Sequence, residues 1–549
     1  MKNFVKLLKQ EFHQYNGQKF VQDLMAGITV AAVALPLALA FGVSSGADAA
    51  SGLITAIVSG LVIGALSGAS YQISGPTGAM TAILISLVAK FQMQGIFIAT
   101  LLAGIILILC SIFKIGRLVS IIPSPVITGF TSGIAIIIAL GQVDNFFGVT
   151  SQGDSAIAKL LSYGTLGFNP NMQAVGIAVM VVAIMLIWPK KWGKRFPASL
   201  AGIIVAVALN MIFNFDVAVV GEIPKTLFPE NRLNLTAIPF DRFGEFIAPA
   251  VSIAALCMIE SLLCGASAGR MKGEKLDADQ ELFAQGVGNI LLPFFGGIPS
   301  TAAIARTSVA IKSGCQTRLT SIFHAIGLLI SMFALGPVMS KIPLSALAGV
   351  LMITAWRMNE FESIKYIFEH RFKSSIAQFL ITMIATVVLD LTMAIIVGVI
   401  LSAFLFIIKV SDMEITFSEI DREKLDNHGI VMHKDISRIR MVYITGPVFF
   451  ANIEKLESAL YPLDNCDAVI FSMRGVPFID SGSAHTLLEV MEYLHDSGII
   501  PLMCAVQPKV KTMLDRADVT KIIGEEHYYW DGQAAILACD SLEHLKPIV

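Results

Sequence analysis

Two ionisable side chains stand inside stretches that hold almost no other charge, and their chemistry is read first. Glu260 lies near the middle of APAVSIAALCMIESLLCGASAG (248–269), where it is the only acid or base besides two cysteines. A carboxylate in hydrocarbon is costly unless it is paired, protonated or hydrated, so it either locks helices together or handles an ion. Arg306 lies in TAAIARTSVA (301–310), five residues after Thr301, which is about 7–8 Å along a helix. Helical side chains lean toward the N-terminus, so this guanidinium reaches back toward the mouth of its helix; the alternative is an arginine spent on a neighbouring acid such as Glu260. Pro36, in ALPLALAFG (34–42), removes a backbone donor in mid-segment and frees a carbonyl. It offers either a third wall for a site or a packing kink.

Both groups belong beside broken helices. Short apolar segments begin after Ser74-Gly75-Pro76-Thr77-Gly78 and after Gly296-Gly297-Ile298-Pro299-Ser300-Thr301. A helix starting at such a break presents about +0.5 charge and unpaired N–H donors. Two such ends with Arg306 amount to about +2, against −1 for an ionised Glu260. Once Glu260 takes up a proton the positive charge stands alone, suited to a divalent anion, which predicts that anion and proton move together.

The elements that must position these residues are membrane helices. Of the 549 residues, 55% are hydrophobic and 15% charged, against about 25% charged in soluble proteins; mean hydropathy is +0.73. Between Leu24 and Ala89 the only carboxylate or cationic side chain is Asp48, and between Ser374 and Ile408 it is Asp390. A span needs about 20 apolar residues. Apolar stretches fall at roughly 24–44, 48–69, 77–90, 94–113, 124–143, 173–189 and 198–214. They continue at roughly 246–269, 281–295, 301–313, 317–336, 343–356, 374–390 and 392–410. The two short, interrupted segments are each third in a set of seven, so segment order predicts an inverted repeat with a central site. Gly60, Gly64 and Gly68, and Gly129 and Gly133, have the spacing of close helix packing.

The start of the chain, residues 1–23, is basic and amphipathic without a signal-peptide pattern and reads as a cytoplasmic surface segment. Basic turns at Lys190, Lys191, Lys194 and Arg195, and at Arg371 and Lys373, mark further cytoplasmic loops, and the even segment number returns the C-terminus to the cytoplasm. A transmembrane domain over 24–410 is followed by a polar linker, 411–436, and a soluble domain, 437–549. In that domain apolar runs Arg440–Ile444, Ala468–Met473 and Ile500–Val506 alternate with amphipathic stretches near 483–496 and from Pro508, which predicts a small α/β unit. A net charge of −2 gives no reason to expect nucleic acid; seven cysteines without a C-x-x-C pair point to neither metal nor redox chemistry. No nucleophile–base pair is visible, so an enzyme is not expected and no cofactor is implied. His324 is the only histidine well inside an apolar segment and reads as structural.

At ALPLALAFG (34–42), ISGPTG (73–78), IGRLVSIIPSPVITGFTSGI (115–134), IESLLC (259–264) and GNILLPFFGGIPSTAAIAR (288–306), the chain resembles the SulP family of sulfate permease-like anion transporters, relatives of solute carrier family 26. The resemblance implies an all-α membrane domain of about 14 segments in 7+7 inverted repeats, as in uracil permease. Segments 1–4 and 8–11 would form a core that moves against a gate by an elevator mechanism. It places substrate contacts near Pro36, Thr77, Thr301, Ala302 and Ala303 with Arg306 close behind, puts Glu260 at the family's acidic position, and implies a homodimer in the plasma membrane. Sulfate, bicarbonate and C4-dicarboxylates such as succinate are the substrates it brings into view. Many sulfate carriers have Pro-Gln where this chain has Pro36-Leu37. The thiol of Cys264 favours H⁺ over Na⁺ as the coupling ion, because hard cations prefer oxygen ligands.

The tail resembles a STAS domain. Its VPFIDSGS (476–483) matches a loop-to-helix turn that carries a phosphorylatable hydroxyl in anti-sigma antagonists. Here that position is Gly482, between Ser481 and Ser483 and next to Asp480. A regulatory role with a cytoplasmic protein partner and a scaffolding role both stand. The leading function is therefore a secondary anion transporter, by symport or exchange. A nucleobase–proton symporter on the same fold, an anion channel and a membrane-tethered receptor are the alternatives; saturation and counter-exchange would separate a carrier from the last two.

Overall fold

The computed structural model describes residues 2–116, 122–153, 156–189, 196–234, 236, 240–389, 391–421, 425, 432–433, 435–460, 463 and 466–542. The basic turn at 190–195 and Asp390 lie outside the described residues. The chain divides into two compact units, Met1–Ile400 and Leu401–Val549.

The first unit is helical. It begins with α1 (Lys2–Glu11), α2 (Gly17–Ser44), α3 (Ala49–Leu66), α4 (Thr81–Ile112), α5 (Ser124–Gly141), α6 (Val143–Phe147), α7 (Ala156–Leu166), α8 (Met172–Ile187) and α9 (Ala198–Phe213). It continues with α10 (Gly244–Lys272), α11 (Ala278–Leu291), α12 (Ile304–Lys312), α13 (Leu319–Met339), α14 (Leu344–Met358), α15 (Phe361–Glu369) and α16 (Lys373–Val388), and the division between the units falls within α17 (Leu391–Val410). Each apolar stretch read from the sequence is matched by one of these helices. The stretches at 77–90 and 94–113 are the two halves of α4, parted at Gln92, whose φ of 55° and ψ of −156° are not helical. Among the described residues, six helices are long and apolar enough to cross a membrane and four further apolar stretches are shorter. Ile112, Ile187, Ile212 and Ile400 are exposed on their outer faces, as side chains against lipid are. This is a multi-pass membrane protein.

Local chemistry explains several boundaries. Asp48, alone in its apolar stretch, caps α3 by accepting the Ser51 N–H at 2.6 Å, and Asn16 caps α2 through the Lys19 N–H at 2.9 Å. The glycine spacings lie at helix contacts. A Cβ on Gly60 would stand 2.9 Å from Ala325 Cβ of α13, and one on Gly129 would stand 2.5 Å from the Phe379 carbonyl of α16. Pro36 does not interrupt its helix: α2 runs through the proline, and this buried stretch packs on α3 and α13.

The second unit is a five-stranded sheet in the order β3–β4–β5–β6–β7, covered by helices. The strands are β3 (Glu414–Glu419), β4 (Ile439–Thr445), β5 (Ala468–Gly475), β6 (Ile500–Cys504) and β7 (Tyr528–Tyr529), with β1 (Ser74–Gly75) and β2 (Thr301–Ala302) belonging to the first unit. Only the β3–β4 pairing is antiparallel; the others are parallel. One core, with Phe471, Leu487 and Met503, lies on one side of the sheet; a smaller one, with Ile470, Leu502 and Ile536, lies on the other. The covering helices are α18 (Ile453–Leu460), α19 (Ser481–Asp496), α20 (Pro508–Arg516), α21 (Val519–Ile523) and α22 (Gly532–Cys539). Glu414–Glu419, read from sequence as linker, is the edge strand of this sheet. It is almost wholly exposed, so no buried alternation marks it, and it owes its form to pairing with β4.

Candidate functional site

The two Gly/Pro breaks meet. Ser74–Gly75 forms β1 and Thr301–Ala302 forms β2, paired antiparallel with Ser74 opposite Ala302 and Gly75 opposite Thr301. The crossing is extended by the Ala303 N–H donating to Ile73 O at 3.0 Å and the Ile73 N–H donating to Thr307 Oγ1 at 3.1 Å. A helix starts on each side of it. A 3₁₀ turn, Gly78–Met80, leads into α4 with Thr77 as N-cap, and α12 starts after Ala303. Neither start receives a side-chain cap, so the first N–H groups of both helices are not claimed by side chains.

Instead of capping its own helix, Thr77 donates its hydroxyl to Glu260 Oε2 at 3.0 Å. Glu260 sits on α10, whose next residue seals the second break: Ser261 Oγ lies 2.8 Å from Thr301 Oγ1 and accepts the Ala302 N–H at 3.2 Å. Cys257 donates to Ser300 O at 3.2 Å and Cys264 to Thr307 Oγ1 at 3.3 Å. Arg306, on the first turn of α12, is 1% exposed, and its Nη2 donates to Pro76 O, at the mouth of the other half-helix. Among the described residues Nη1 has no hydrogen-bond partner. A side chain on Gly75 would overlap this guanidinium, so a larger residue there must displace it. Among the described residues, Arg306 and Glu260 form no ion pair. Thr77, Glu260 and Ala303 are partly exposed, whereas Thr301, Ala302 and Arg306 are buried.

The structure thus brings together Thr77, Glu260, Thr301, Ala302, Ala303 and Arg306. Pro36 is buried in α2, which packs against α12, and it bonds to none of them. Sequence reasoning passed over Ser261, and it passed over Gln72, whose Nε2 donates to Ser261 O at 2.8 Å. It also missed Gln285 and Asn289, which bond to Ser74 and Ser300. The last two carried a signal: with Glu281 they recur every four residues in an apolar stretch, on one helix face. Among the described residues no group of three or more His, Cys, Asp or Glu is arranged to hold a metal.

In the second unit, Asp480 caps α19, accepting the Ser483 N–H at 2.8 Å and the Phe450 N–H at 2.9 Å. Ser481 is exposed, while Ser483 is buried. Of the two serines flanking Gly482, only Ser481 faces solvent.

Residues 20–386 match the sulfate permease family, and residues 431–531 match the STAS domain. The chain belongs to the sulfate permease family. It is 31% identical over 536 residues to the putative sulfate transporter YvdB of Bacillus subtilis, covering 94% of this chain and 97% of that protein. It is 29% identical over 491 residues to the bicarbonate transporter BicA of Picosynechococcus, covering 86% of each. Among solved structures, murine Slc26a9 in an inward-facing state superposes with a TM-score of 0.85 over 99% of this chain and 95% of that one. At 17% identity that likeness is one of fold. The transmembrane domain of a cyanobacterial BicA matches at 27% identity with a TM-score of 0.63, over 71% of this chain and 98% of that one. The sulfate permease fold expected from the sequence motifs, a helical membrane domain with a small α/β STAS domain, is the fold observed. The family consists of transporters, not enzymes.

Proposed function

We propose that this sulfate permease family member is a secondary active carrier of small anions, binding them where β1 and β2 cross. The single observation that carries the reading is the meeting of two helix starts without side-chain caps beside a buried arginine, Arg306, that keeps one nitrogen unpartnered. Donors and positive charge fixed in a low-dielectric site stabilise an anion more than they would in water. The substrate class is sulfate, bicarbonate or a C4-dicarboxylate such as succinate, and the relatives named as sulfate and bicarbonate transporters support the first two. Thr77, Thr301, Ala302, Ala303 and Arg306 contact or surround the anion, with Pro36 in the wall behind. Glu260, held by Thr77 alone, takes up the co-transported proton. Residues 24–410 are the transport domain, with segments 1–4 and 8–11 moving as an elevator core in a plasma-membrane homodimer. A cytoplasmic STAS domain follows, its sheet beginning at β3, in which Asp480, Ser481 and Ser483 form a candidate regulatory turn; both termini are cytoplasmic.

The test is uptake of labelled sulfate, bicarbonate and succinate into proteoliposomes, with and without imposed pH or sodium gradients. Saturable uptake accelerated by a proton gradient is expected, and Glu260→Gln should retain exchange while losing that acceleration. Unchanged pH dependence in Glu260→Gln would refute the coupling role, and no uptake of any of the three anions would refute the carrier reading.

A further inference from the structure

The geometry points to Glu281, Gln285 and Asn289 of α11 as positioning residues for the anion site, gripping both crossing segments from one helix face. This inference rests on the anion reading above. All three are fully buried. Their four-residue spacing places them in a row about 6 Å apart along the helix.

Each grip is specific. Gln285 Nε2 has two hydrogens and uses both, donating to Glu281 Oε1 at 2.8 Å and to Ser74 Oγ of β1 at 3.0 Å. Glu281 orients that amide and is itself fixed by the Ser67 hydroxyl at 2.6 Å and the Gly68 N–H at 3.0 Å, just beyond α3. One turn on, Asn289 treats Ser300 as a strand partner would: its Oδ1 accepts the Ser300 N–H at 2.8 Å and its Nδ2 donates to Ser300 O at 2.9 Å. Asn289 Nδ2 also reaches Gln285 O at 2.8 Å. One helix therefore holds residue 74 before the first helix mouth and residue 300 before the second, while β1 and β2 hold each other. Burying polar groups this deeply is costly, and Gln285 Oε1 is without a partner among the described residues; the side-chain amides of Gln285 and Asn289 are bonded to the two segments whose relative placement sets where the helix starts aim. Preorganised donors lose their effect when displaced by about 1 Å.

The test uses the purified full chain carrying Gln285→Leu, Asn289→Leu or Ser74→Ala, the last removing only the hydroxyl that Gln285 grips. KM and Vmax are measured for whichever of sulfate, bicarbonate or succinate the wild type carries, and N-ethylmaleimide labelling of Cys257 is followed by mass spectrometry. In the wild type Cys257 is buried with its thiol on Ser300 O. The expected result is a KM raised about tenfold with Vmax within about twofold. Cys257 labelling should be markedly faster in Asn289→Leu, with a smaller KM rise in Ser74→Ala. Variants that remain monodisperse with unchanged KM and unchanged Cys257 labelling would overturn the proposal, as would a fall in Vmax alone. Faster labelling in a protein whose wild type carries none of the three anions supports the grip of α11 and removes the anion reading instead. Should the leucine variants not fold, Ser74→Ala decides by its KM.

Discussion

Two regions of the membrane unit each combine a buried arginine with carboxylate side chains, yet they use them differently. At the start of the chain, Arg318 donates through Nε and Nη2 to Glu11 at 2.9 and 2.7 Å, through Nη1 to Ala65 O and Ser67 O at 2.8 and 3.2 Å, and stands 5.2 Å over the Phe4 ring. Beside it Asp23 accepts from the Tyr15 and Thr320 hydroxyls, from the Gln316 N–H, and from both the N–H and the hydroxyl of Thr317, all within 3.0 Å. At the crossing, Glu260 accepts one hydrogen bond and Arg306 leaves Nη1 unpaired. Charges whose valences are filled by the protein hold the protein together. Charges left with spare valence inside it are available to a ligand or a proton.

The sharpest way to break this comparison is to exchange the effects of the two arginines. Arg318→Gln removes the cation from buried Glu11, which keeps the backbone N–H of residue 318 at 2.6 Å; losing the charged partner of a buried pair costs about 3–5 kcal/mol. It should lower the unfolding temperature in detergent while uptake per folded molecule holds. Arg306→Gln should do the reverse, cutting uptake about 100-fold, or ~2.7 kcal/mol, with the unfolding temperature unchanged. If both variants fail in the same way, filled and spare valence do not separate the two roles. Gly75→Ala sharpens the picture on a smaller scale. Its methyl group displaces the Arg306 guanidinium from Pro76 O and should raise KM about tenfold, and a kinetically silent alanine would show that the guanidinium position does not matter.

Outside the membrane, Asp480 provides a filled carboxylate whose titration can be followed. Burial raises its pKa, but the hydrogen bonds from Ser483 and Phe450 outweigh burial and leave it below the ordinary value. A carboxyl depressed in the folded state contributes stability above its unfolded pKa and loses it as pH falls through the folded one. Asparagine caps as well as aspartate but offers one acceptor oxygen and no charge. With both the Ser483 and Phe450 N–H groups to satisfy, Asp480→Asn should weaken this turn by about 1 kcal/mol at neutral pH, with the gap to wild type closing below about pH 4. Hydrogen exchange over 481–496 in the full chain reads this directly, and a gap that persists in acid would assign the loss to shape rather than charge.

Much of the architecture is legible in the sequence because hydrophobic segments and their Gly/Pro breaks are local signals. Glu260 and Arg306 stand out because they are charges without local company, and Thr77 because it follows a break. What one sequence does not carry is which distant residues meet. Ser261 and Thr301 are 40 residues apart, and Glu11 and Arg318 are 307 apart. The basic pattern of residues 1–23 reads as a surface segment and hides the acid that docks it. Strand β3 escaped for a similar reason, since its form comes from β4 rather than from its own residues.

The measurement that bears most directly on the anion site is ligand protection at its partly exposed edge. A cysteine introduced by Ala303→Cys, modified by a charged thiol reagent and read at residue 303 by mass spectrometry, should react freely in the empty carrier. The transported anion should slow it, with a half-saturating concentration equal to its KM. Full reactivity in the presence of saturating transported anion would place the substrate somewhere other than between the two helix starts.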